Sequence, residues 1–138
     1  MIIVDTSGLI AAYDRDDIHH QDVVRVLSAE GPGVLSPFVL AELDYLLATR
    51  AGRSVELRAL RDVADGAYHL ADLTQHDVAR CIFMIEQYAS LDLGLADASI
   101  VVLALRLGCH DLLTLDQRHF RAVRPLDGGT FRLLPLDA

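Results

Sequence analysis

The chain contains no lysine: all twelve of its basic residues are arginine. That excludes P-loop phosphate transfer, Schiff-base chemistry and a lysine general base together. Cysteine is nearly absent too. Cys81 and Cys109 sit in apolar, helical-looking segments, so the expectation is two buried free thiols and no disulfide. Histidine and cysteine form no set with metal-ligand spacing. Long apolar runs are missing as well: Ile100–Leu105 is the longest, far below the ~20 residues a membrane span needs. Met1 leads straight into an apolar strand, leaving no basic-then-apolar leader, so a cytoplasmic chain with no membrane partner is expected. Excess positive charge is lacking, with a net charge of −8, which argues against coating nucleic acid through a basic surface. It does not exclude a nuclease whose acids hold a metal, because a bound cation reverses the local field.

What is present is apolar mass. Hydrophobic residues make up 52% of 138 positions, and mean hydropathy is +0.31, enough for one domain (1–138) with a real core. Ile2-Ile3-Val4 runs directly into Asp5, reading as a strand buried on both faces and central in a parallel sheet. Ser7–Tyr13 and His19–Ala29 read as helices around a solvated Asp14–Asp17 loop, with His19 and His20 as helix-opening residues. After the Gly31-Pro32-Gly33 break, Val34-Leu35 is a second strand. Ser36 caps the next helix, with Pro37 at its first position, and that helix runs from Phe38 to Ala51. Ser54–Ala64 is amphipathic with Arg53, Arg58 and Arg61 on its wet side. Tyr68–Ala71 is a third strand, Thr74 opens a helix over His76–Ser90, and Gly94–Leu107 is a further helix closed by Gly108. Asp111–Asp116 is a fourth strand, followed by a short helix and an edge strand over Phe131–Leu134. Alternating strands and helices predict an α/β fold: a central, mainly parallel sheet between two helical layers.

Four acids occupy places that packing alone gives to other residues. Asp5 and Asp116 each follow an apolar strand. Glu42 lies in the second turn of a helix with Phe38 and Leu46 one turn away. Asp97 shares a stripe with Ile100, Val101 and Ala104, on the buried side of its helix. Strand ends and helix N-termini meet on one rim of a parallel sheet, so all four are expected there. Close carboxylates repel unless a cation joins them. Oxygen donors in a partly open shell suit Mg²⁺ or Mn²⁺, and such ions activate water for phosphodiester hydrolysis. Each acid also has an ordinary reading: a helix cap for Asp5, an exposed position for Glu42, a first-turn acid for Asp97, a turn opener for Asp116.

With these residues in hand, the pattern resembles PIN-domain ribonucleases, most closely the VapC-type toxins of bacterial toxin–antitoxin pairs. Ile3-Val4-Asp5-Thr6-Ser7 looks like the first motif of that family. Ser36-Pro37 with Ala41-Glu42-Leu43 resembles the second, Leu93–Ile100 the third, and Leu113-Thr114-Leu115-Asp116 with Phe120 the fourth. The resemblance spans essentially the whole chain and implies a three-layer α/β/α PIN-like domain with metal-dependent endoribonuclease activity. By position it makes Asp5, Glu42, Asp97 and Asp116 the catalytic, metal-holding quartet. Thr6, Ser7 and Thr114 match hydroxyls that orient acids or bind water, although capping and strand-end bonds explain them equally well. Asp92 stays a loop or cap acid. The implied partners are an RNA substrate, a VapB-like antitoxin that blocks the site, often with arginine, and a second copy of the chain in a homodimer. Arg118, His119, Arg121, Arg124 and Arg132 are a candidate phosphate-contacting cluster or simply a solvated face.

Two other readings begin from the same residues. A haloacid-dehalogenase-type phosphatase or a receiver domain also places Asp after its first strand. The first wants an acid where Ser7 stands, the second wants paired acids before Asp5, and both want a lysine. A catalytically silent PIN-like module that binds RNA or a partner is the remaining alternative, and the complete quartet speaks against it.

Overall fold

β1 is Ile3–Val4, both fully buried, and everything else in the sheet is placed relative to it. The computed structural model describes residues 1–138. The chain continues through α1 (Thr6–Tyr13), α2 (His20–Glu30), β2 (Val34–Leu35), α3 (Pro37–Arg50), α4 (Arg53–Ala64) and β3 (His69–Leu70). It then forms α5 (Gln75–Gln87), a 3₁₀ turn at Ala89–Leu91, α6 (Leu95–Leu107), β4 (Asp111–Leu113), α7 (Gln117–Phe120) and β5 (Arg132–Leu134). The strands lie in the order β3-β2-β1-β4-β5, with every pairing parallel. Parallel neighbours need crossovers, and right-handed crossovers place helices on both faces, giving three layers.

The strand order reverses at β1. The chain leaves β1 toward β2 and leaves β4 toward β5, so the carboxyl ends of β1 and β4 flank a crevice. Ligands bind at such a switch point in open α/β sheets. The β1–β4 register pairs Ile3 with Leu112 and Val4 with Leu113, which sets the next residues, Asp5 and Thr114, side by side. Gly8 lets α1 come down on this pair: a Cβ there would lie 2.8 Å from the Leu113 carbonyl oxygen.

Local signals end the elements where chemistry requires. Ser36 accepts a bond from Phe38 N (3.1 Å) with Pro37 at the first helical position. Thr74 and Asp77 form a reciprocal capping box on α5, and Asp77 also pairs with Arg106 of α6 at 2.9 Å. Gly108 closes α6 in the left-handed conformation, φ 60°, which glycine adopts at no steric cost. α6 carries eight buried residues, among them Ile100–Ala104, and packs against β1, α3 and α5. Cys81 and Cys109 are buried and free. No helix is long and apolar enough to cross a membrane.

Two expectations need correcting, and a third resolves between its alternatives. The helix expected through Ser90 stops at Gln87 and tightens into the 3₁₀ turn, where Asp92 adopts φ 52°. The strand expected through Asp116 ends at Leu113, because Asp116 caps the one-turn α7. In the basic cluster near the C-terminus, Arg121 and Arg132 pair with carboxylates on a solvated face, and Arg118 and Arg124 have no salt bridge. Arg121 grips Asp137 through two bonds of 2.6 and 2.7 Å, and Arg132 reaches Asp111 at 3.1 Å.

Candidate metal centre

The four acids come from four separate segments and line one cavity of about 320 Å³, together with Thr6, Ser7, Ile10, Leu46, Arg50 and His119. A second cavity of the same volume, lined by Tyr13, Asp62 and Tyr68 among others, holds no comparable convergence of acids. Donor chemistry, not volume, singles out the first.

Asp5 sits at the N-cap position of α1, yet its side chain makes no capping bond. The hydroxyls of Ser7 (2.8 Å) and Thr114 (2.7 Å) both donate to its Oδ2 instead. The two hydroxyl oxygens are 3.2 Å apart, each with its proton directed at Asp5. Their acceptor sides are filled by backbone: Leu115 N donates to Ser7 Oγ (2.9 Å) and Asp116 N to Thr114 Oγ1 (3.0 Å). One hydroxyl pair thus locks the ends of β1 and β4 to each other and fixes the carboxylate between them. Asp5 is 3% exposed. Burial raises its pKa, the hydroxyl bonds offset part of that, and the charge of Asp116 adds to the rise.

Asp97 stands in the first turn of α6, with its side chain 17% exposed. Burial and then the charge of Asp5 push its pKa up to about 6, with Asp116 and Glu42 adding and His119 opposing. The turn that carries it is pinned by a buried serine relay. Ser99 Oγ donates to Ala96 O at 2.6 Å, which leaves Ser36 to donate to Ser99 across 2.7 Å, joining the N-terminal ends of α3 and α6. Asp116 accepts from His119 N at 3.0 Å, so its capping role and its place in the cavity coexist.

Glu42 corrects an expectation. It lines the cavity, but its position on α3 is exposed. Phe38 and Leu46 are only half-buried, because α3 is apolar on more than its core face and apolar neighbours do not mark the buried side. Thr6 differs from Ser7 and Thr114: its Oγ1 is buried in the cavity wall with no hydrogen-bond partner.

Two lining residues escaped the sequence reading. Arg50 stands where this cavity meets a larger neighbouring groove of about 460 Å³, and both share Ile10 and Leu46. His119, read from sequence as part of a basic cluster, lies inside the acid group. Its Nδ1 is 2.8 Å from Asp116 Oδ2 and 3.3 Å from Asp97 Oδ2, and its Nε2 is 2.7 Å from the Leu91 carbonyl. Burial acts to lower its pKa, but the Leu91 bond and the charges of Asp116 and Asp97 outweigh burial and raise it. The available signal was the three-residue spacing from Asp116, which puts both side chains on one side of a helical turn.

The donor set fits a divalent cation. Asp97, Asp116 and His119 each present an atom within 4.8 Å of the others, Asp5 lines the same cavity, and the Thr6 hydroxyl stands orphaned in its wall.

Comparison with known proteins agrees with this geometry. The PIN-domain family description matches residues 2–125. The chain is 42% identical over 135 residues to ribonuclease VapC26 of Mycobacterium tuberculosis, covering 97% of this chain and all of that protein. Among solved structures, M. tuberculosis VapC20, a sarcin–ricin-loop-cleaving toxin, superposes with a TM-score of 0.78 at 20% identity, covering 84% of this chain and 90% of that one. VapBC2 of Rickettsia felis, bound to a fragment of its promoter DNA, gives a TM-score of 0.68 at 19% identity, covering 96% and 98%. At such identities the structural likeness speaks for the fold alone. The family match across most of the sequence and the full-length alignment to a ribonuclease carry the assignment further: the chain belongs to the PIN-domain family, in its VapC branch.

Proposed function

We propose that the chain is a divalent-metal-dependent endoribonuclease, the toxin of a VapBC-type toxin–antitoxin pair. Asp5, Asp97, Asp116 and Glu42 would hold the ion. The observation that carries this reading is the convergence of the four acids at the β1/β4 switch point. A divalent cation bound there, Mg²⁺ or Mn²⁺, supplies a Lewis acid and lowers the pKa of water for attack on phosphorus.

The chain's own residues have distinct tasks in this scheme. Ser7 and Thr114 fix the Asp5 carboxylate and spend both their protons on it, so its rotamer is set before any ligand arrives. Ser36 and Ser99 hold the first turn of α6, and with it Asp97. His119 braces Asp116 against the Leu91 carbonyl. Glu42, on the exposed lip, would complete the acid set from the solvent side. Arg50 is the guanidinium in the cavity lining, placed to meet a phosphate while the surrounding acids repel one that arrives without a cation. Membership of the family supports an antitoxin partner and a homodimeric assembly for this chain. The concentration of negative charge at the mouth suits an arginine-bearing antitoxin segment.

The test is cleavage of labelled total RNA by metal-depleted protein with Mg²⁺ or Mn²⁺ restored. Cleavage should appear with metal, vanish in EDTA, and fall on the order of 10³-fold or more in Asp5→Asn. Cleavage that persists in EDTA or in that variant would mean another site or a contaminating nuclease. RNA binding without cleavage by the metal-loaded wild type would make the chain a silent binding module.

A further inference from the structure

We infer that His119 is a direct nitrogen ligand of the metal, so that the centre is a mixed nitrogen–oxygen site and not an all-carboxylate one. This rests on the metal-site reading above and adds to it an atom and a selectivity.

The argument starts from the ring's two faces. Nε2 lies 2.7 Å from the Leu91 carbonyl oxygen. A carbonyl only accepts, so Nε2 carries a hydrogen. In the neutral ring the Nδ1 lone pair then points between Asp116 Oδ2 at 2.8 Å and Asp97 Oδ2 at 3.3 Å. Without an ion, a hydrogen on Nδ1 joins the ring to Asp116; a cation in place of that hydrogen meets three donors already turned toward one point. Two donors at right angles on an octahedral ion, each about 2.1 Å from it, are about 3 Å apart. The two measured separations bracket that value. All three atoms also lie within 4.8 Å of one another, near enough for one ion to draw them in by small side-chain movements. Finally, the bond from Nε2 to a backbone carbonyl is the outer-shell arrangement that fixes ring orientation and tautomer in metal-binding histidines. Leu91 belongs to the 3₁₀ turn just before α6, so the carbonyl that orients His119 is tied to the same segment that delivers Asp97.

A nitrogen donor changes selectivity. Mg²⁺ favours oxygen and keeps its water, whereas imidazole suits Mn²⁺ and later first-row ions better. The site should therefore prefer Mn²⁺ over Mg²⁺, and His119→Ala should remove most of that preference.

The experiment uses the full chain, stripped of metal and titrated with Mn²⁺, read by pulsed EPR for the coupling of a directly bound imidazole nitrogen. The expected result is that coupling in the wild type and its loss in His119→Ala. Calorimetric titration should show Mn²⁺ affinity falling at least about tenfold in the variant, with Mg²⁺ affinity changing less than about threefold. Bound Mn²⁺ in the wild type without nitrogen coupling overturns the ligand assignment and leaves the metal site standing. No Mn²⁺ binding at all overturns the metal reading itself, so the two failures are distinguishable. The wild-type spectrum alone decides the matter should His119→Ala not fold; circular dichroism establishes whether it does.

Discussion

Replacing Asp97 by asparagine should make the metal-free protein more stable, and the gain should depend on pH. The Asp97 pKa lies near 6 in the folded chain, raised by burial and by Asp5, against about 3.9 for an unperturbed aspartate. At about 1.4 kcal/mol per pH unit, carrying that charge at neutral pH costs the fold about 3 kcal/mol relative to the unfolded chain. Solvent screening at the 17% of the side chain that stays exposed brings this to about 2 kcal/mol. The direction follows from proton counts. Below about pH 4 both states hold the proton and Asp97 contributes no penalty. Between about pH 4 and 6 the unfolded chain releases its proton while the folded chain keeps it, so stability falls as pH rises through that window. Above it the penalty is constant. Asparagine has the shape and no charge, so Asp97→Asn lacks this slope.

Thermal unfolding of both proteins in EDTA across pH 4–8 measures the effect. For a chain of this length about 1 kcal/mol shifts Tm by roughly 3–4 °C, so the variant should melt about 6–8 °C higher at pH 7.5 and level with the wild type near pH 4. Saturating divalent metal should reverse the order. At a hundredfold excess over Kd the ligand adds about 2.7 kcal/mol to the wild type, while the variant, lacking the proposed Asp97 ligand, should gain far less. A variant less stable than wild type at pH 7.5 without metal would refute the reasoning, because Asp97 would then support the fold by its bonds. An advantage of equal size at every pH would refute it as well.

Two further substitutions probe the frame around Asp5. Thr114→Val keeps the shape but removes both the donor to Asp5 and the acceptor for Asp116 N; urea denaturation should show a loss of about 1–3 kcal/mol, and an unchanged midpoint would show that water replaces the hydroxyl. Gly8→Ala drives a Cβ against the Leu113 carbonyl, which accepts from Asp5 N at 2.9 Å; a loss of about 1–3 kcal/mol is expected, with faster hydrogen exchange of the Asp5 amide, and full stability would mean that α1 shifts freely.

Much of this was legible because single residues carried unambiguous local chemistry. The run Ile2–Val4 into Asp5 named the central strand and its rim acid together. Ser36-Pro37 named a helix start, and the Asp97–Ile100–Val101–Ala104 stripe put an acid where an apolar residue belonged. The illegible parts depend on register and on partners far along the chain. Nothing local says that Thr114 lies beside Asp5; that follows from pairing Val4 with Leu113. Arg121 and Arg132 look like free cations until Asp137 and Asp111 are seen against them. His119 was hidden by its neighbours: in a stretch with Arg118 and Arg121, its charge reads as more of the same. Only the turn opened by Asp116 separates it from them.

The placement of the hydroxyls explains how a chain can keep such a cluster before its cation arrives. Burial and neighbouring carboxylates raise the pKa of Asp5 and of Asp97, which makes the cluster a local source of instability. Yet Asp5 is held by two donors whose backbone supports come from β4's end. Asp116 is spent partly as the cap of α7, and His119 stands between Asp116 and Asp97. Each acid is thus restrained by a neighbour that costs the cavity no opening. The repulsion is left to be relieved by a ligand that binds the folded chain alone, and such a ligand stabilises according to its concentration over its Kd. The charge that costs the metal-free fold is the charge that attracts the cation, which is why Asp97→Asn should gain stability without metal and lose affinity for it.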